Sequence, residues 1–238
     1  MASDSNDNNK AKEPKFEWDF DVPDTPFWKD LDFRVARNFL TCYEPNELEN
    51  IHFDATLNES QRLHFLLSEL QSRLATRQAA VAPEKLHIAD PANWQRLLLG
   101  IETLQKFLGL YEEEAETIRT MLSTMEGDAR VPWLNMLADL DIRNGNFVEA
   151  ESLAREVLPW MQKHVKLGVD SPQAFGTTRM LIQCLWRQGG GKKEEAESLI
   201  TETSALIEGM AGSKFAKYQD EERQMLLDLK AELEGTGK

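Results

Sequence analysis

The chain has 238 residues, which is enough for one large domain or two small ones. Of these residues 41% are hydrophobic and 29% are charged, a balance typical of globular proteins. Its formal net charge is −14, with 41 acidic against 27 basic residues. Because a surface this negative repels phosphate backbones and anionic lipids, neither nucleic acid nor a membrane is the expected partner.

The N-terminal residues and the cysteines bear on the cellular location. Residues 1–15 are polar, which predicts a disordered tail and neither a signal peptide nor a membrane anchor. Cys42 and Cys184 have no second cysteine at metal-ligand spacing, so they form either two reduced core thiols, which we favour, or a single buried disulfide. With no transmembrane segment predicted, we expect a cytoplasmic, intracellular protein.

An aromatic segment follows the tail. Residues 16–28 read FEWDFDVPDTPFW, with five aromatic residues, four acids and two prolines. The prolines preclude one continuous helix, and the aromatic side chains are too apolar to stay fully solvated. The segment either folds back on the protein's own helices or docks on another protein. We favour fold-back, because the polar residues end just before Phe16 and a helical pattern begins near Pro26.

The next stretch is predicted to be helical. Thr56 and Glu59 have the spacing of a capping box. Residues 80–91 are interpreted as a loop, after which Asp90 is expected to cap a helix with Pro91 in its first turn. A leucine stripe at the spacing of one helical face comprises Leu63, Leu66, Leu67, Leu70 and Leu74.

The remaining chain is predicted to be helical as well. Pro159 removes a backbone donor, so it should kink or end the helix that contains it. No segment alternates apolar and polar residues as a strand does, and the predicted fold class is therefore all-α. The expected helices end at Gly109 and at Gly127, then cover 132–145, 147–164, 172–188 and 192–210, before a last apolar stripe over 215–233.

A short repeat organises these helices. Glu-Ala-Glu-Ser-Leu occurs at 149–153 and again at 195–199. Around each copy, and more weakly over 97–121, an apolar helix is followed by glycine, an acid-rich turn and a second helix. We expect antiparallel helix pairs in which Ala138 or Ala150 allows the two backbones to approach closely. Since one pair cannot bury both of its faces, neighbouring pairs must stack.

At these residues the chain resembles the tetratricopeptide repeat, in the longer-looped form of kinesin light chains and many fungal repeat proteins. Residues 167–181 are similar to the linker of that family, with Ser171 in place of its histidine. Asp141 stands where an aromatic residue is usual, and Gly190 with Gly191 looks like an insertion. The matching positions of the middle unit are Leu134, Leu137, Ala138, Gly145, Phe147 and Ala150.

The resemblance covers residues 93–212 and implies an α-α superhelix, a TPR-like solenoid with extra N-terminal helices. The expected organisation is a disordered tail over 1–15, an aromatic segment and helices over 16–90, and TPR-like helical repeats with a C-terminal capping helix over 91–238.

In that family the first helix of each pair lines a concave groove. Asparagine there can hydrogen-bond a peptide backbone, and arginine can bind a carboxylate. Asp139 would repel an acidic peptide, which argues against a simple clamp for an acidic C-terminus. The resemblance assigns the groove to Asn135, Asp139 and Arg143 of the middle unit and to Arg179, Gln183 and Arg187 of the last.

Catalytic and metal-binding patterns are weak. The sequence GGGK at 189–192 lacks the spacing of a phosphate-binding loop, because Trp186 stands where the first glycine is needed. The histidines do not form a metal-binding pair; they are His52, His64, His87 and His164. We interpret two aspartate pairs as solvated or groove-facing acids, not as magnesium ligands; they are Asp30 with Asp32 and Asp139 with Asp141. No catalytic residue, metal or cofactor is predicted.

Two functional hypotheses follow. The favoured one is a non-catalytic adaptor that holds a peptide or helix of another protein in the concave groove. The alternative is a small all-helical enzyme of the cyclase or isomerase type, acting on a small molecule. Its acidic pocket would lie between the N-terminal helices and the repeats and would use acids such as Asp139. A deep pocket with perturbed carboxylates would favour the enzyme.

Overall fold

The computed structural model describes Phe16 and residues 19–235, which contain eleven α-helices and no strand. The predicted all-α class is confirmed for this part of the chain, whereas residues 1–15 and Trp18 lie outside it. The helices are α1 Phe33–Leu40, α2 Pro45–Leu48, α3 Glu59–Ala80, α4 Leu86–Ala89, α5 Pro91–Leu108, α6 Tyr111–Thr124, α7 Val131–Arg143, α8 Phe147–Lys163, α9 Pro172–Gln188, α10 Gly191–Glu208 and α11 Gln219–Leu233. Short 3-10 turns cover Gly127–Arg130, Gly209–Gly212 and Ala216–Tyr218.

Local sequence signals account for several helix ends. Asp90 caps α5 by accepting a hydrogen bond from the Asn93 amide at 3.2 Å, and Pro91 begins that helix. Gly109 ends α5 with a φ of 69°, a conformation that a residue with a Cβ reaches only with strain. Ser171 caps α9 in the same manner as Asp90 caps α5. The predicted boundaries at these positions are confirmed.

The capping box predicted at Thr56 and Glu59 was wrong. Thr56 is held in a turn by Asp54, whose Oδ1 accepts from the Thr56 amide and hydroxyl at 2.8 and 2.7 Å. Its side chain is therefore not available to cap a helix. Asn58 and Gln61 form the box instead, with each side chain accepting from the backbone amide of the other.

Two other boundaries differ from the expected ones. The predicted loop over 80–91 contains α4, which Leu86 anchors with a side chain that is only 1% exposed. Pro159, which was expected to kink or end its helix, does not end α8; the helix continues to Lys163, one residue short of the expected 164, since proline removes only one hydrogen bond of a 17-residue helix. The last helix begins at Gln219, so Phe215 and Tyr218 belong to the turns before it.

The chain divides into two compact units. One comprises Asp21–Val157, and the other comprises the described residues of 1–20 together with 158–235. The division falls inside α8. The boundaries that the sequence suggested, between 16–90 and 91–238, stay a prediction.

In the unit Asp21–Val157, α5 is the central helix, and α1, α3, α4 and α6 pack against it. Gly100 makes this packing geometrically feasible. A Cβ at this position would lie 2.5 Å from Leu70 Cδ1 of α3 and 3.1 Å from the Asn38 carbonyl oxygen of α1. The sequence predicted close approach at Ala138 and Ala150, which are both fully buried, but the role of Gly100 was missed.

The C-terminal half of the aromatic segment is buried in the same unit. Phe27 and Trp28 are 1% and 5% exposed, and both rings lie within 5.1 Å of the Phe53 ring, centroid to centroid. The Arg62 guanidinium of α3 donates to the carbonyl oxygens of Phe27 and Lys29 and so fixes the turn. The predicted fold-back is confirmed for Phe27 and Trp28.

In the other unit, α9 packs against both α10 and α11, and α10 packs against α11. These three helices therefore contact one another pairwise. A superhelical arrangement of such pairs stays a prediction. None of the described helices is both long enough and apolar enough to cross a bilayer.

Gly100→Ala should lower the free energy of unfolding by about 1–3 kcal/mol, because the added methyl group would overlap Leu70 and the Asn38 backbone. Gly191→Ala is a matched control, since nothing lies within 4 Å of a Cβ built there. It should be neutral or stabilise the protein by up to about 1 kcal/mol. Urea denaturation of the two variants measures the difference, and equal midpoints would contradict the packing role of Gly100.

Candidate functional site

The predicted groove residues of α7 lie on one face of that helix. Asn135, Asp139 and Arg143 follow each other at four-residue spacing, and all three are half-buried. They are therefore neither part of the apolar core nor fully solvated. Their partners in the unit Asp21–Val157 determine what this face can do.

Arg143 joins α7 to α6 through Glu114. The guanidinium makes a two-point contact with the Glu114 carboxylate, with Nη1 at 3.0 Å from Oε2, and Glu114 is fully buried. The sequence analysis did not identify this role of Glu114. It is the buried carboxylate whose charge Arg143 balances.

Asp139 is held between two cations. Its Oδ2 accepts from Lys106 Nζ of α5 at 2.7 Å and from Arg143 Nε at 3.0 Å. The four charged groups Lys106, Asp139, Arg143 and Glu114 form one continuous chain of ion pairs, which we call the charge ladder. It connects α5, α7 and α6.

The predicted groove residues of α9 also pair within the protein. Arg179 Nη1 contacts Glu222 Oε2 of α11, and Glu222 is only 3% exposed. Arg187 Nη2 donates to Glu232 Oε1 at 2.9 Å, in a pair that is exposed on both sides. Gln183 between them is half-buried. In this unit the face of α9 that bears the two arginines is thus packed against α11.

A buried polar cluster of α5 was missed in the sequence. Glu102 is 4% exposed, and its Oε2 lies 3.3 Å from the Thr103 hydroxyl, which accepts from Asn38 Nδ2 of α1 at 2.9 Å. Burial, reinforced by the nearby Glu114 carboxylate, raises the pKa of Glu102 to about 7. The burial of Glu102 could have been inferred from the sequence. Glu102 follows Ile101 and lies four residues after Leu98, so helical spacing places this acid on the apolar face of α5.

An open depression of about 600 Å³ lies beside the charge ladder, on α6 and the end of α7. Its lining includes Tyr111, Arg119 and Asn144. The Tyr111 side chain is 45% exposed, and the Arg143 guanidinium lies 5.3 Å from the centre of its ring. The sequence did not predict this surface, which we call the Tyr111 surface.

The other candidate motifs have local structural roles. Lys192 of the GGGK sequence donates to Gln188 Oε1 at 2.7 Å, and Lys193 lies 4.2 Å from the centre of the Trp186 ring. Cys42 and Cys184 are buried and are not joined in a disulfide, which agrees with the reduced thiols that we favoured. No group of three or more potential metal ligands occurs in the part of the chain that the structure describes.

No protein-family model matches the chain. Comparison with curated proteins and with solved structures also gives no match. The resemblance to tetratricopeptide repeats therefore stays a prediction from the residues that carry it.

Arg179→Met should lower the free energy of unfolding by about 3 kcal/mol at neutral pH, because the Glu222 carboxylate would remain buried without its counter-charge. Burial already raises the pKa of Glu222, with Arg179 opposing it, so the loss should shrink as the pH falls and Glu222 is protonated.

Arg187→Met is the matched control and should change stability by no more than about 1 kcal/mol, since its pair with Glu232 is exposed. Guanidinium denaturation at pH 5 and pH 8 separates the two variants. An Arg179→Met loss that is independent of pH would show that lost packing, not the buried charge, is responsible.

Glu102→Gln should stabilise the protein at pH 8 by about 1–3 kcal/mol and have little effect at pH 5. The pKa of this carboxyl rises from 4.5 to about 7 on folding, so the folded state binds the proton more tightly than the unfolded state. The stability of the parent protein should therefore fall as the pH rises through this range, and the variant should lack that fall.

The exposed Glu149→Gln provides the control, with an expected change of about 0.5 kcal/mol or less at both pH values. Thermal melts at several pH values measure both variants. If Glu102→Gln and Glu149→Gln responded alike to pH, Glu102 would not be the source of the pH dependence.

Proposed function

We propose that the chain is a non-catalytic scaffold, built of tetratricopeptide-like helix pairs, that binds a peptide or helix of another protein. The Tyr111 surface is the proposed binding site, together with the neighbouring face of α7 that bears Asn135, Asp139 and Arg143. The observation that carries the proposal is the open depression with an exposed tyrosine and an exposed arginine at its edge.

The chemistry of this surface suits a protein partner. Tyrosine and arginine are enriched at protein interfaces, where they supply a large contact area and directed hydrogen bonds. The Arg119 side chain is 67% exposed, so it is free to reorient towards a partner. The depression is open, and an open surface accommodates a segment of chain better than it encloses a small substrate.

The surrounding charge suggests which partner is bound. Glu112, Glu113 and Glu116 are exposed on α6 around Tyr111 and Arg119, and the whole chain has a net charge of −14. A peptide or helix with basic residues around an apolar anchor would be complementary to this surface. Its association should be faster at low ionic strength, where charges steer the encounter.

The protein itself supports helix binding by ion pairs. On α9, Arg179 and Arg187 contact carboxylates of α11, so the equivalent face of a first helix already holds a helix of the same chain. The carboxylate partners of both arginines belong to the same chain. On α9 an external acidic helix would have to compete with α11.

One observation favours the alternative of a small all-helical enzyme. Glu102 lies on α5, close to α1, and a carboxyl with a pKa of about 7 is suited to general acid or base catalysis. Lys106 and Asp139 are close enough to Glu102 to influence its pKa and could assist it. At 4% exposure, however, Glu102 is separated from the open depression, so a substrate there would not reach it.

The test is a binding measurement on the full chain. Partners captured from the source cells by cross-linking and identified by mass spectrometry would be expressed and titrated by calorimetry. Tyr111→Ala with Arg119→Ala should weaken Kd at least tenfold, equivalent to about 1.4 kcal/mol. Arg96→Ala, an exposed arginine of α5, should leave Kd unchanged.

Two outcomes would redirect the proposal. If the folded variant with Tyr111→Ala and Arg119→Ala bound the partner with unchanged affinity, the binding site would not be the Tyr111 surface. If the chain is a scaffold, the Glu102→Gln variant should bind the partner with unchanged Kd. If instead the variant lost a catalytic activity that the parent protein has, the enzyme hypothesis would be supported.

A further inference from the structure

Phe16 and Asp19 of the aromatic segment pack against the turns that precede α11. The Phe16 ring stacks on Phe215, with the ring centres 5.2 Å apart and the planes inclined by 23°. The centre of the Tyr218 ring lies 5.9 Å from that of the Phe16 ring. Phe215 is fully buried, so Phe16 covers apolar surface that would otherwise be open to water.

A polar contact accompanies the aromatic one. Lys217 Nζ donates to Asp19 Oδ2 at 2.8 Å, and the Tyr218 hydroxyl donates to Asp19 Oδ1 at 3.1 Å. The same Lys217 ammonium lies 4.9 Å from the centre of the Phe16 ring, a favourable cation–π distance. Lys217 therefore recognises both the ring and the carboxylate of the docked segment.

Phe16 and Asp19 are joined to each other by two hydrogen bonds. The Asp19 amide donates to the Phe16 carbonyl oxygen at 3.0 Å, and the Phe16 amide donates to Asp19 Oδ2 at 2.9 Å. The two recognition groups of the docked segment are thus only three residues apart and are oriented by bonds within the segment. A short peptide with the same two residues therefore contains the groups that form these bonds.

The turns that bear Phe215, Lys217 and Tyr218 are fixed by hydrogen bonds to neighbouring residues. The Phe215 amide donates to Ser213 Oγ at 3.1 Å, and Gln219 Nε2 donates to the Ile207 carbonyl oxygen at 2.9 Å. These bonds fix the turns that bear Phe215, Lys217 and Tyr218, and they do not involve the docked segment. A surface fixed in this manner has little ordering entropy to lose when a segment binds.

We propose that Phe215, Lys217 and Tyr218 form a peptide-binding site for a phenylalanine followed three residues later by an aspartate. The chain's own Phe16 and Asp19 occupy this site, and a partner segment of the same chemistry displaces them. The site is distinct from the Tyr111 surface, and it stands or falls independently of the function proposed there. The contact is small and partly exposed, so exchange between the two segments is feasible.

The internal segment should act as a competitor. A tethered segment has an effective concentration in the millimolar range, which lowers the apparent affinity of the site for an added peptide. Removing the phenylalanine of the tethered segment vacates the site. The full-length Phe16→Ala variant should therefore bind an external peptide more tightly than the parent protein does.

The test uses a fluorescent peptide with the sequence of residues 15–21, KFEWDFD, and fluorescence anisotropy with full-length protein. Phe16→Ala should bind the peptide about tenfold more tightly than the parent protein does. Adding Lys217→Glu should abolish binding, whereas adding Lys230→Glu, on α11, should not change it. Replacing the aspartate of the peptide that corresponds to Asp19 by asparagine should weaken binding about tenfold.

Three results would overturn the proposal. They are equal affinity of Phe16→Ala and the parent protein, retained binding after Lys217→Glu, and failure of every protein variant to bind the peptide. Circular dichroism verifies that each variant is folded. If Phe16→Ala were unfolded, Asp19→Asn would vacate the site instead, and the same comparison would decide.

Discussion

A buried glutamate that depends on an arginine of another helix is the constraint common to both units. Glu114 of α6 is fully buried and is matched by Arg143 of α7, and Glu222 of α11 is matched by Arg179 of α9. Apolar residues in these places could stabilise the fold equally well. The ion pairs add directionality. Each pair requires a particular rotation of the two helices about their axes, and a purely apolar contact would define that rotation less strictly. The helix faces that remain open to solvent follow from that rotation.

The face of α7 could be predicted from the sequence only in part. Four-residue spacing correctly places Asn135, Asp139 and Arg143 on one side of the helix, because helical periodicity is a local property. Which neighbour covers that side depends on contacts with residues 29 and 33 positions away, such as those that join Arg143 to Glu114 and Lys106 to Asp139. Helical spacing places Glu114, unlike the exposed Glu112 and Glu113, on the face of α6 that bears Ile118, but it does not identify Arg143 as its partner. The binding role of the α7 face therefore stays a prediction, while its structural role is visible.

The difference between local and long-range contacts also explains which features of the fold were predicted correctly and which were missed. Asp90, Gly109 and Ser171 fix helix ends through contacts within a few residues, and the sequence predicted them. Gly100 and Arg62 act across helices, on Leu70 and on the carbonyl oxygens near Phe27, and their roles were missed. Thr56 shows a third case, in which two local signals compete and the tighter turn with Asp54 prevails. Glu102 was detectable in principle, as an acid within an apolar stripe.

The docking of Phe16 and Asp19 has a consequence for synthesis on the ribosome. Asp19 and Tyr218 are separated by 199 positions in the chain, so the segment emerges long before its receptor exists. At roughly 5–20 residues per second, the interval is on the order of 10–40 s. During that time an aromatic, acidic segment is exposed on the nascent chain and accessible to chaperones or to a partner. Whatever binds the segment then must release it before Phe16 and Asp19 can dock on the turns that bear Phe215 and Tyr218.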